Sequence, residues 1–153
     1  MKKMFMLLAF LSISCTAEDF SDNFSTGAFH LKWNSSIDDA KFLFPNGSFR
    51  PLHSRENRIS FVVLNDINLS WYEIPTEEVY FTYSPKMKLD HARVFFKYQD
   101  LEHVKKKCLD VFGTDFVARD KNGEQSFIWK NARRVTLSIN TNAPTQWVYL
   151  YVQ

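Results

Sequence analysis

A chain of 153 residues that is 45% hydrophobic and 24% charged has the length of one domain and can bury a core without covalent staples. Its 4 Gly and 5 Pro exclude a collagen-like or linker chain, and its 2 Cys exclude a disulfide-dense scaffold or a four-cysteine zinc site. The near balance of 19 basic and 17 acidic residues lacks the electrostatic footprint of a nucleic-acid binder.

The first element is a leader. Lys2 and Lys3 precede an apolar run from Met4 to Leu11, too short to span a hydrocarbon core, which takes about 20 residues. The pattern reads as a secretory signal peptide of bacterial style. Two processing readings stand. Cys15-Thr16-Ala17 offers the small residues an ordinary signal peptidase reads, so that residues 1–17 are removed and Glu18 leads. Leu11-Ser12-Ile13-Ser14-Cys15 also resembles a relaxed lipobox, in which case residues 1–14 are removed and Cys15 carries lipid. Loss of Lys2 and Lys3 leaves 17 basic against 17 acidic residues, a formally neutral mature chain. The Asn-x-Ser sequons at Asn23, Asn34, Asn46 and Asn68 read as chance in a bacterial protein.

Residues 18–32 read as a tether, polar with interspersed Phe20 and Phe24, that leads into residues packing through Phe29, Leu31 and Trp33. The domain then runs over 33–153. The spacing predicts a short helix over 35–44, capped by Asn34 or Ser35, with Asp38 and Asp39 in its first turn. Ile37, Ala40 and Phe44 make its face, Phe42 and Leu43 widen it, and Pro45-Asn46-Gly47 stops it. Strands are predicted over 58–64, 67–74, 77–83 and 91–98, with turns short enough for an antiparallel meander. In the last of these, Ala92, Val94, Phe96 and Tyr98 share one face, and His91, Arg93, Phe95 and Lys97 the other.

A second helix is predicted over 100–112, capped by Asp100 and stopped by Gly113. Leu101, Val104, Cys108 and Val111 form its stripe, with Phe112 beside them. Asn122-Gly123 signals a hairpin between 116–119 and 125–131, followed by strands over 133–140 and 146–152. Val135, Leu137 and Ile139 oppose Arg134, Thr136 and Ser138, so one face of this sheet is expected to be wet. The fold class is α+β: an antiparallel sheet covered on one face by two short helices, with a helix-then-strands grammar that repeats.

The motif Trp33-x-Ser35-x-x-Asp38 with Phe44-Pro45, and a later Val111-Phe112-Gly113 followed by a Trp129 strand, resembles small secreted bacterial α+β domains of the SmpA/OmlA type or the β-lactamase-inhibitor-protein-like type. The resemblance implies a binding or assembly role in the cell envelope and carries over no functional residue.

Catalytic chemistry finds little support. His103 and Cys108 share a helix but stand about 140° apart around it, and Cys108 lies in the apolar stripe as an inert thiol. His30, His53, His91 and His103 make no metal-ligand spacing, and no cofactor fingerprint is present. Asp38-Asp39 reads as helix capping, and Glu77-Glu78 as the start of a strand. Lys105, Lys106 and Lys107 fan through about 200° and form a solvated face.

Aromatic residues are the excess: 16% of the chain. Trp71 and Phe81 are assigned inward, which leaves Tyr72, Tyr80 and Phe95 as one outer patch if their strands are adjacent. Burial of that outer face by other parts of the chain, or by a second copy, is the competing reading. The expectation is an exported envelope protein, non-catalytic, that meets another envelope protein and touches the membrane only through Cys15 lipid. A small periplasmic hydrolase and a secreted enzyme inhibitor are the alternatives.

Overall fold

The computed structural model describes residues 29, 31–51, 58–64, 69–130, 134–142, 144 and 146–153. The leader with Cys15, the tether over 18–28, and His30 and His53 lie outside the described residues. No helix among the described residues is long and apolar enough to cross a membrane.

The architecture is α+β. Helix α1 (Ile37–Leu43) is followed by β1 (Ser48–Pro51), β2 (Ile59–Leu64), β3 (Ser70–Trp71), β4 (Ile74–Pro75), β5 (Glu78–Tyr83) and β6 (Leu89–Phe96). Helix α2 (Leu101–Phe112) leads to β7 (Phe116–Lys121), β8 (Glu124–Lys130), β9 (Arg134–Asn140) and β10 (Trp147–Val152). Eight strands form one antiparallel sheet in the order β1-β2-β5-β6-β10-β9-β8-β7, and β3-β4 is a separate hairpin. The chain thus lays strands from one edge to the centre, crosses on α2, and lays strands from the other edge back to the centre.

Helix α1 starts two residues later than the sequence suggests. Ser36 is the cap: its Oγ accepts from the Asp39 backbone N–H at 3.3 Å, and Asp39 Oδ2 accepts from the Ser36 backbone N–H at 2.7 Å. This reciprocal capping box outcompetes Asn34 and Ser35, whose side chains make no such pair. Ile37, Ala40 and Phe44 are buried as expected, whereas Phe42 is 86% exposed and Leu43 is exposed too. A 7-residue helix has room for one apolar face, and these two fall off it. Helix α2 buries Val104, Cys108 and Phe112 and half-buries Leu101 and Val111. Asp100 occupies its cap position without a side-chain cap bond.

The strand predicted over 67–74 is broken within the described residues: Tyr72 (φ 48°) and Glu73 (φ 71°) both take left-handed backbone and fold Trp71 back against Ile74. Packing carries this turn: Trp71 is fully buried, stacked on Phe112 at 6.2 Å and edge-on to Phe96 at 5.7 Å. Burial of an indole outweighs the cost, of order 1–2 kcal/mol per residue, of left-handed backbone. The edge strand β1 is an addition the sequence reading lacked. Behind it Gly47 lies under the Phe61 ring, where a Cβ would stand 2.2 Å from the ring.

The register puts Phe61, Val63, Val79, Phe81, Tyr83, Ala92, Val94, Phe96, Val148, Leu150, Val152, Val135, Leu137, Ile139 and Trp129 on the helix side, and all are buried. Phe81 is central, meeting Phe29 and Phe44 at 5.6 Å each. Trp129 Nε1 donates to the Gly113 carbonyl at 2.8 Å, pinning the C-terminus of α2 to the sheet.

Candidate functional site

Among the described residues, no helix lies on the opposite face of the sheet. Strand alternation sends Tyr80 of β5, His91, Arg93 and Phe95 of β6, and Trp147, Tyr149 and Tyr151 of β10 to that side. Because β5, β6 and β10 are neighbours, these side chains form one band at the centre of the sheet.

The rings touch in sequence across the strands. Tyr80 meets Phe95 at 5.8 Å, Phe95 meets Tyr149 at 5.4 Å, and Tyr149 meets Trp147 at 4.8 Å. Arg93 lies over this band, its guanidinium carbon 5.4 Å from the Tyr149 centroid and 5.7 Å from that of Tyr151. The rings are half-buried, while Arg93 is exposed. Beside them a cavity of about 220 Å³ is lined by Ser60, Tyr80, Thr82, His91, Arg93 and Phe95.

Polar groups brace the band. Tyr80 Oη donates to Glu78 Oε1 at 2.6 Å. Ser60 and Thr82, both buried, share a hydrogen bond of 3.0 Å on the cavity floor. A bulge near Asp90 brings Asp90 Oδ2 to Arg58 Nη1 at 2.9 Å and to His91 Nδ1 at 3.2 Å. Arg58 Nη1 also lies 2.8 Å from His91 Nε2. The face is drier than expected, since Ser138 is also buried and lies 3.4 Å from the Ser126 hydroxyl.

Of the three sequence candidates, the structure brings Tyr80 and Phe95 together and leaves Tyr72 elsewhere. Tyr72 sits in the β3-β4 turn on the helix side, 5.3 Å from Trp71 and under Lys107 Nζ at 5.6 Å. Burial raises its phenol pKa above the ordinary value. It lines a cleft of about 320 Å³ with Glu73, His103, Lys107 and Asp110. The expectation that Trp71 and Tyr72 point to opposite sheet faces fails because neither belongs to the main sheet. Tyr149, Trp147 and Tyr151 were missed as site residues, although their strict alternation with Val148, Leu150 and Val152 carries the signal.

Cys108 is fully buried, and burial pushes its thiol pKa up. His103 is exposed on the other side of the helix. A third cavity, of about 230 Å³, lies between α2 and the sheet and is lined by Leu109, Phe116, Phe127, Trp129 and Leu137, with Lys105 at its mouth. Comparison with protein-family models, with curated proteins and with solved structures finds no match to this chain.

Proposed function

We propose that this chain is an exported cell-envelope protein that binds another envelope protein through the helix-free face of its sheet, without catalysis. The observation that supports binding is the unbroken run Tyr80-Phe95-Tyr149-Trp147, four half-buried rings with a stacked arginine at the centre of one face. Aromatic rings and arginine are the side chains that concentrate binding energy at protein interfaces. They cost little conformational entropy to fix, and here ring contacts and the Tyr80–Glu78 bond already hold them.

Export rests on the leader, with Cys15 lipidated or Glu18 leading. The mass of the mature protein tests it: loss of residues 1–14 with added diacylglycerol, or loss of 1–17, is expected, and a chain retaining Met1 in the envelope would overturn it. We further propose that the halves form an internal pseudo-repeat. The strand order supports it, with α1 then β1, β2, β5, β6 laid edge to centre, and α2 then β7, β8, β9, β10 laid likewise.

Binding is tested by alanine at Phe95 and at Tyr149. Each variant is expected to fold and to lose the partner that the unmodified protein retains. Full partner binding by both folded variants would refute the proposed face.

A further inference from the structure

We propose that the cavity beside Arg93 takes a carboxylate side chain of the partner, flanked there by an apolar or aromatic residue that packs on the ring band. This deepens the binding role proposed above and rests on it.

The argument starts from charge. Among the described residues, the acids on this face already face a donor or a cation: Glu78 accepts from Tyr80, Asp90 is held by Arg58, and Glu124 is the register partner of Lys121. Arg93 has no acidic group within ion-pair distance among the described residues; its described contacts are the Tyr149 and Tyr151 rings. Those rings orient the guanidinium plane without neutralising it. Further out on the same face, the register places Arg119 and Lys130, both exposed, again without an acidic partner among the described residues. The face is therefore complementary to acid.

Shape and valence narrow the ligand. The cavity of about 220 Å³ has room for one or two side chains, not for an extended cofactor. Among the described residues, Arg93 is the one permanent cation lining it, and the other polar liners are hydroxyls and His91. One guanidinium and nearby hydroxyls match a singly charged, planar carboxylate in fork geometry. A phosphate monoester carries close to two charges and is ordinarily met by several cations or a cluster of backbone N–H groups. Tyr80, Phe95 and Tyr149 offer the apolar wall against which a neighbouring residue can pack.

The test uses a random heptapeptide library displayed on phage, selected against the mature protein. The expected result is enrichment of Asp or Glu beside Phe, Trp, Tyr or Leu. A synthetic peptide of the winning sequence should bind R93Q about tenfold or more weakly, as expected when a charge-assisted bond is lost. R93K should recover only part of the affinity, because ammonium lacks the fork. Arg93 is exposed, so R93Q should keep its fold, which circular dichroism checks. Binders that lack acid enrichment yet weaken with Phe95→Ala or Tyr149→Ala would overturn the carboxylate assignment and leave the binding face standing. Absence of any peptide sensitive to Phe95→Ala and Tyr149→Ala would overturn the face itself. Arg93-dependent sedimentation with phosphatidylglycerol–phosphatidylcholine vesicles, without acid-enriched peptides, would assign the site to a lipid headgroup instead.

Discussion

Phe81→Ala separates the two faces of the sheet. Phe81 is 1% exposed, stacked on Phe44 and edge-on to Phe29, and its register partners are Phe61 and Ala92. Losing the transfer free energy of the ring costs about 1.5–3 kcal/mol. The roughly 100 Å³ left behind, at about 24 cal/mol per Å³ of unrelaxed cavity, costs about 2 kcal/mol more. Collapse of Phe29 into the space returns part of that, so a loss of about 3–5 kcal/mol is expected. Tyr80 is the next residue but faces the other side, half-buried, with its hydroxyl on Glu78. Tyr80→Ala should cost about 1 kcal/mol, from one hydrogen bond and partial ring burial. Urea unfolding of both variants, followed by tryptophan fluorescence, reads the difference as a shift of the midpoint at unchanged slope. Equal destabilisation would mean that Tyr80 is a core residue and would refute the separation of a packed face from a binding face.

Further outcomes follow from single contacts. Cys108 should resist alkylation in the folded protein and react only on unfolding, and Cys108→Ala should cost about 1 kcal/mol; rapid native labelling would contradict its burial. Folded-state burial raises the acid pKa values of both Cys108 and Tyr83. The unfolded chain therefore releases these protons first, and their contribution is whole below about pH 8.5 and falls as pH rises above it. Tyr83→Phe should be neutral or stabilise by about 1 kcal/mol, because the buried Tyr83 hydroxyl has no hydrogen-bond partner among the described residues; a loss on thermal melting would show that the hydroxyl is satisfied. Gly47→Ala should destabilise by about 1–3 kcal/mol, since the new Cβ meets the Phe61 ring, and unchanged stability would show that the ring can move aside.

The sequence carried the local elements well and the long-range ones poorly, for identifiable reasons. Helix α2 was legible because Val104, Cys108 and Phe112 repeat at helical spacing and Gly113 supplies a positive φ of 81°. The β7-β8 hairpin was legible because Asn122 and Gly123 tolerate φ of 56° and 81°. The β3-β4 turn was not, because Tyr72 and Glu73 are poor left-handed residues, and the buried Trp71 that compels the turn gives no local signal. That one miss moved Tyr72 away from its supposed neighbours. The pairing of Tyr80 with Phe95 needed only adjacent meander strands and was readable. The wider band was not, because it depends on Phe95 meeting Tyr149 across the β6–β10 junction. Nothing local specifies that pairing; it closes only after α2 has carried the chain to the far edge.

Photocrosslinking in the native cell tests the binding face most directly. A benzoylphenylalanine placed at Tyr149, on the helix-free face, is compared with one at Phe42, which is 86% exposed on α1. The account predicts a discrete crosslinked partner from position 149 that is lost when Arg93→Gln is added, and none from position 42. Crosslinking to a partner from position 42 with none from position 149 would contradict it.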